Sequence, residues 1–233
     1  MSYRNARWAA ASVAAGLVFA ASASAAVFTD ATGEEFSGSS HLDVSSVEVT
    51  NDASNVRFKI NLVGNPTSPD WGKYMIGIDA VPGGAGSGNG WGRPISMSSG
   101  MDYWIGSWAD SGTGQEIYHY TGSAWNRDRA SYDATNPLPK PVLDGNSVTL
   151  TVPLSLIGQS GGGTFNFDVY TAGGGGGDSA NDASSNPSQS ISNWPGPYDS
   201  GSMVSTYSVV VPEPASLGVL GLAGLGLLIR RRR

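Results

Sequence analysis

The chain has 233 residues, of which 39% are hydrophobic and 33 are glycine, with 13 basic and 19 acidic side chains and no cysteine. Without cysteine it can form neither disulfide bonds nor cysteine-ligated zinc sites, so its stability must come from a packed apolar core. The net charge of −6 disfavours binding to the phosphate backbone of nucleic acids.

The N-terminal segment, residues 1–26, has the three parts of a secretory signal peptide. Arg4 and Arg7 form a basic start, residues 8–21 are apolar, and small residues in an Ala-Ser-Ala pattern follow. The alternative is a membrane-embedded helix, which needs about 20 apolar residues. The shorter apolar stretch favours a cleaved secretion signal.

Three segments alternate strictly between apolar and polar residues, as β-strands with one buried face do. A shift of one residue in register would turn every apolar side chain to solvent, so the buried face is well specified. The residues predicted to be buried are Val56, Phe58, Ile60, Leu62, Val148, Leu150, Val152, Phe165, Phe167 and Val169.

Five other segments are less regular strand candidates. They are Leu42–Val49, Tyr74–Ala80, Tyr103–Trp108, Glu116–Tyr120 and Met203–Val210. The only helical candidate between the two ends of the chain is a single turn at 154–157, and the glycine-rich segments 83–90 and 173–177 are predicted to be loops at the sandwich edge. We therefore predict an all-β fold, an antiparallel two-sheet β-sandwich of jelly-roll type, in one domain over residues 27–210.

Several motifs in this order resemble the DOMON-like β-sandwiches, which include the family 9 carbohydrate-binding modules and the C-terminal domain of glucodextranase. The motifs are Asp30, Gly33-Glu34-Glu35, Leu42-Asp43-Val44, Asn55-Val56-Arg57-Phe58 and the segment Val152-Pro-Leu-Ser-Leu-Ile-Gly158. The resemblance implies a sugar-binding sandwich, in some members with a structural calcium ion.

Tryptophans in loop-like sequences are candidates for sugar binding. Trp71, Trp91 and Trp194 lie beside proline, glycine or aspartate, and a tryptophan ring can stack on the C–H face of a sugar. Asp70 and Arg93 are the predicted polar partners. The alternative is that the loops fold these rings over the end of the sandwich.

Two more tryptophans lie in one candidate strand, four residues apart. Trp104 and Trp108 are separated by an even number of residues, so they face the same side of that strand. We predict that both pack in the core.

Two groups of oxygen-bearing side chains are candidate calcium ligands, because Ca²⁺ takes six to eight oxygen ligands. The first group shares one glycine-flanked loop and consists of Asp178, Asn181 and Asp182. The second is suggested by the DOMON-like resemblance and consists of Asp30, Glu34 and Asp43. The alternative in each case is a solvated acidic loop.

A catalytic site is not indicated. Ser160 lies in a Gly-x-Ser-x-Gly sequence, which in hydrolases stands between a strand and a helix, but here glycines and a predicted strand follow. His41 and His119 are far apart in sequence, which disfavours a zinc site and links neither to Ser160 as a base. We predict a protein that is not an enzyme, with a polysaccharide-active hydrolase or lyase as the alternative.

The C-terminal segment, residues 211–233, has three consecutive parts. Its motif Pro212-Glu213-Pro214 precedes an uncharged stretch of 15 residues, 215–229. As a helix this stretch would span about 22 Å, short of a bilayer core of about 30 Å. The terminal basic residues, which favour the cytoplasmic side, are Arg230, Arg231, Arg232 and Arg233. We expect transient insertion in the inner membrane; the alternative is a permanent anchor.

This arrangement resembles the PEP-CTERM sorting signal of Gram-negative bacteria. The resemblance implies secretion through the inner membrane, processing by an exosortase near the Pro-Glu-Pro triplet, and delivery to the cell surface or the extracellular polysaccharide matrix. The secretion machinery and the exosortase are thus expected partners.

Removal of both terminal segments makes the remaining domain strongly acidic. Six arginines and Glu213 lie in those segments, which leaves 7 basic and 18 acidic residues, a charge of about −11. Such a domain is soluble and attracts cations. We predict a surface or matrix protein that binds extracellular polysaccharide; the alternative is a structural or adhesion component without a defined ligand.

Overall fold

The computed structural model describes residues 25–188 and 191–210. The predicted signal peptide and sorting tail lie almost wholly outside these residues, as does the predicted apolar helix at 215–229. Strand β1 begins at Ala26, which the sequence assigned to the end of the signal peptide. Within the described part, no helix has the length and apolar character to cross a membrane.

The described residues form antiparallel sheets, with two 3-10 helices at Ser40–Leu42 and Leu154–Ile157. The strands in chain order are β1 (Ala26–Thr29), β2 (Val44–Asn51), β3 (Asn55–Leu62), β4 (Lys73–Asp79), β5 (Ile95–Ser96), β6 (Tyr103–Trp108), β7 (Gly114–Tyr120), β8 (Trp125–Ala130), β9 (Val142–Asp144), β10 (Ser147–Pro153), β11 (Gly163–Ala172), β12 (Asp182–Ala183), β13 (Tyr198–Asp199) and β14 (Ser205–Val209).

Two large sheets make up the sandwich. The first has the order β1-β2-β3-β10-β9, and the second has the order β12-β11-β4-β6-β7-β8, with β14 also pairing with β11. A short parallel pair, β5 with β13, forms a third sheet. The predicted all-β, antiparallel two-sheet sandwich is therefore confirmed.

The main core lies between the two large sheets. All ten residues predicted from strict alternation are buried in it, none of them more than 4% exposed. Residues from both sheets meet here; Phe58 of β3, for example, contacts the rings of Phe165 and Phe167 of β11 at centroid distances of 6.1 and 5.4 Å. The alternation identified these strands because one of their faces meets this core.

The central strands of the second sheet are buried on both faces. Strands β4, β6 and β11 have runs of consecutive buried residues instead of alternation. Their outer faces pack in a second apolar cluster, to which chain segments outside this sheet contribute side chains such as Met97 and Ile191. Two-sided burial explains why β4 and β6 looked irregular in the sequence. The glycine-rich segments 83–90 and 173–177 lie between strands, as predicted for loops.

Sequence reasoning missed or misplaced some elements. Leu42 was predicted to open a strand but ends a 3-10 helix, and β2 begins at Val44. Strand β8 was not predicted because it lies at the sheet edge, where its polar residues 126–128 face solvent. The helical turn at 154–157 is confirmed as a 3-10 helix.

Candidate metal centre and aromatic surfaces

Three carboxylates from distant parts of the chain meet in space. Asp30 follows β1, Glu34 lies in the next loop, and Asp182 opens β12. One carboxylate oxygen from each lies within 4.8 Å of the others. The fold therefore joins members of the two predicted calcium groups into one centre.

Asp43 accompanies these three carboxylates. Its Oδ2 accepts a 2.9 Å hydrogen bond from the N–H of Gly33, which ties it to the loop that carries Glu34. The side chain is only 4% exposed, and its Oδ1 is buried without a hydrogen-bond partner. We call Asp30, Glu34, Asp43 and Asp182 the carboxylate centre.

The oxygens of the carboxylate centre are poorly satisfied by the protein. Both oxygens of Glu34 and Oδ2 of Asp30 are buried without a partner. Asp182 accepts 2.6 Å bonds from the N–H groups of Val44 and Ala183, but no ion pair among the described residues includes any of the four carboxylates. Buried carboxylates without a cationic partner are costly, so the arrangement suits a bound cation.

The electrostatics agree with this shortage of positive charge. Burial, with the nearby charge of Glu34, raises the pKa of Asp30 to about 7. Burial, with the charges of Asp30 and Glu34, raises the pKa of Asp182 to about 8. The pKa values of Glu34 and Asp43 are also raised, mainly by burial. A divalent cation would reverse these shifts by stabilising the ionised carboxylates.

The other two residues of the first predicted group have different surroundings. Asp178 lies outside the carboxylate centre, and its carboxylate accepts the N–H of Gly175 at 2.8 Å, which closes the glycine-rich turn. Asn181, which precedes Asp182 in the chain, is fully buried. Neither the nitrogen nor the oxygen of its side-chain amide has a hydrogen-bond partner.

Two of the predicted sugar-binding tryptophans come together with two other rings. Trp71 and Trp194 have centroids 6.0 Å apart, Phe36 contacts Trp194 at 5.0 Å, and His41 contacts Trp71 at 4.4 Å. All three contacts are edge-to-face. We call these four rings the loop aromatic cluster; it joins segment 30–43, which carries three of the centre's carboxylates, to the loops at Trp71 and Trp194.

The predicted polar partners are not equivalent. Asp70 is exposed beside Trp71. Arg93 is only 5% exposed, and its guanidinium donates to the backbone oxygens of Asp178 at 2.8 Å and Gly173 at 3.3 Å. Arg93 thus fastens the glycine-rich turn to the segment that precedes β5.

The third tryptophan, Trp91, lies in a different aromatic group. Its Nε1 donates to Glu116 at 2.9 Å, and its ring contacts Trp104 and Trp108 at 6.4 and 6.3 Å. Trp104 is fully buried on the outer side of the second sheet, whereas Trp108 on the same side is half-buried. The sequence identified Trp91 as a candidate but not Glu116. The residues that neighbour Glu116 in the sequence do not reveal the hydrogen-bond donors that reach its carboxylate from other segments.

The residues considered for catalysis are separated. His119 Nδ1 lies 2.6 Å from Asp128 Oδ1, and both line an open cavity of about 400 Å³ together with Tyr103 and Ser155. Ser160 instead lies between a 3-10 helix and β11, so the strand–serine–helix arrangement is not formed there. The absence of enzymatic activity stays a prediction.

The C-terminal segment is similar to a known protein family. Residues 210–233 match the family model of the PEP-CTERM protein-sorting motif. The chain carries a PEP-CTERM motif. This motif directs proteins to the cell envelope or exterior of Gram-negative bacteria and implies processing by an exosortase. No curated protein and no solved structure matches the chain significantly. The DOMON-like resemblance stays a prediction.

Proposed function

We propose that this exported sandwich binds Ca²⁺ at the carboxylate centre. The observation that carries the proposal is the convergence of Asp30, Glu34 and Asp182 within 4.8 Å, with oxygens of Asp30, Glu34 and Asp43 buried and without a partner. Carboxylate oxygens alone are hard ligands, which favour Ca²⁺ or Mg²⁺ over zinc. Several carboxylates in one centre suit Ca²⁺, since Mg²⁺ usually keeps several waters.

The cation would serve the sandwich by fastening its N-terminal segment. Segment 30–43 carries three of the four carboxylates, and Asp182 belongs to β12 of the second sheet. A cation between them would join the two sheets. Because Phe36 and His41 lie in the same segment, it would also hold the loop aromatic cluster in place.

Calcium should raise the melting temperature of residues 27–211. A ligand that binds only the folded state at a hundred times its dissociation constant adds about 2.7 kcal/mol of stability. For a domain of this size that corresponds to roughly 5–10 °C. The measurement is thermal unfolding in excess chelator and in millimolar calcium, with magnesium at the same concentration for comparison.

Glu34→Gln and Asp30→Asn give the sharpest test. Each should abolish the response to calcium and yet leave the chelated protein at least as stable as the wild type, because each removes a buried negative charge. Glu48→Gln and Asp144→Asn, outside the centre, are the matched controls and should keep the full response. Identical melting curves of the wild type in chelator and in calcium would refute calcium binding at the carboxylate centre.

We also propose that the protein binds extracellular polysaccharide. The observation in favour is that Trp71, Trp91 and Trp194 are all half-buried, so each retains accessible ring surface. The folded domain should co-sediment with the exopolysaccharide purified from its host. A folded domain that stays in the supernatant would favour the structural alternative.

A further inference from the structure

We infer that the solvent-accessible aromatic side chains around Glu116 form a binding surface for an uncharged polysaccharide. The members of this Glu116 surface are Trp91, Trp108, Tyr118 and Tyr132. The inference rests on the polysaccharide binding proposed above and assigns it to the outer face of the second sheet, away from the loop aromatic cluster.

Two glycines make room for the rings of this surface. A side chain at Gly106 would come within 2.2 Å of the Trp91 ring, and one at Gly114 would come within 2.1 Å of the Trp108 ring. The two rings therefore lie over the backbones of β6 and β7 while remaining half-buried. Tyr132 extends the row, 6.3 Å from Trp108 and 57% exposed.

One carboxylate fixes the orientation of the row. Glu116 accepts hydrogen bonds from Trp91 Nε1 at 2.9 Å, from the Tyr118 hydroxyl at 2.8 Å and from the Tyr132 hydroxyl. Although burial opposes ionisation, these bonds and that of Arg127 lower the pKa of Glu116, so it is a carboxylate at neutral pH. Rings held in advance lose little entropy when a ligand stacks on them.

The charges favour a neutral ligand. Arg127 lies 3.4 Å from both Glu116 and Asp133 and covers the Tyr132 ring at 5.1 Å, so its single positive charge is shared between two carboxylates. The exported domain as a whole carries about −11 and would repel an anionic polymer. Pyranose rings offer the apolar C–H faces that aromatic rings contact.

The test is affinity electrophoresis of the full exported domain in gels containing hydroxyethylcellulose, galactomannan or alginate. We expect retardation by at least one of the two neutral polymers and none by alginate. Trp108→Ala should weaken binding about tenfold. Tyr132→Ala should weaken it by a similar factor, and because Tyr132 is exposed, its replacement should leave the domain folded. Val142→Ala, at an exposed position on the edge strand β9 of the first sheet, is the control and should bind like the wild type. Trp71→Ala tests the loop aromatic cluster as the competing site.

The outcomes separate this inference from the general proposal. Wild-type binding that survives both Trp108→Ala and Tyr132→Ala, or that is lost in Trp71→Ala instead, would overturn the assignment to the Glu116 surface and leave polysaccharide binding intact. Binding to alginate alone would overturn the neutral ligand. If the domain is not retarded on any of the three gels but binds the host's own exopolysaccharide, only the ligand class assigned here is refuted. If it does not bind the host's exopolysaccharide either, both proposals are refuted.

Discussion

In excess chelator, the folded domain should lose stability as the pH rises from about 5 to about 8. Burial and neighbouring carboxylates raise the pKa of Asp30 to about 7 and that of Asp182 to about 8, from an ordinary value of 3.8. Across this range the unfolded chain has already released protons that the folded state retains, so the free energy of unfolding falls with pH. Asp182, the more deeply buried of the two, should contribute most of this loss, because solvent screens the half-buried Asp30.

Saturating calcium should offset this loss at the upper end of the range, because the cation binds the ionised carboxylates and competes with protons. The measurement is thermal unfolding by circular dichroism at pH 5, 6, 7 and 8, with chelator or with calcium. The double variant Asp30→Asn, Asp182→Asn should show a much weaker pH dependence above about pH 6, below which the buried Asp168, whose pKa is raised to about 6, still contributes. Asp52 and Glu116 have lowered pKa values, so their protonation changes the free energy of unfolding only at more acidic pH. A chelated wild type that gains stability towards pH 8 would contradict the prediction.

Phe167→Ala should lower the free energy of unfolding by about 3–5 kcal/mol. The side chain is fully buried, and its ring contacts Phe28 at 5.1 Å and Phe58 at 5.4 Å, so removal leaves a cavity between the two sheets. Denaturant titration of the isolated domain measures the change.

Val27→Ala is the matched control, because Val27 lies in the strand next to this site but is 61% exposed. Its free energy of unfolding should stay within about 0.5 kcal/mol of the wild type. A loss at Phe167 no larger than that of the control would mean that the ring does not fill the core as described.

The Glu116 surface illustrates what local patterns leave out. Trp108 and Gly114 face each other across β6 and β7, and Gly106 faces Glu116. The sequence assigned Trp108 to the core together with Trp104, but Trp108 is half-buried. Gly114 lies outside the predicted strand 116–120, and Tyr132 lies after a third strand that was not predicted. Only the antiparallel register brings the rings, the glycines and the carboxylate onto one face.

The carboxylate centre was half visible in the sequence. Asp182 was assigned to a group with Asp178, its neighbour in the glycine-rich loop, whereas Asp30 and Glu34 were assigned to another. Sequence proximity suggested a shared ligand set, but Asp178 turns back to cap Gly175. The pairing of β11 with β12 carries Asp182 to the N-terminal segment instead.

The sequence by itself determined the all-β sandwich, its inner face and the export signal. Strict alternation over residues 56–62, 148–152 and 165–169 reports one-sided burial directly, because neighbouring side chains in a strand point to opposite faces. The Pro-Glu-Pro motif with its terminal arginines is likewise local. Tertiary structure alone decided that the central strands β4, β6 and β11 of the second sheet are buried on both faces and that Asp30, Glu34 and Asp182 meet. The reason is that these features depend on contacts between segments up to about 150 residues apart in the chain, which no local pattern encodes.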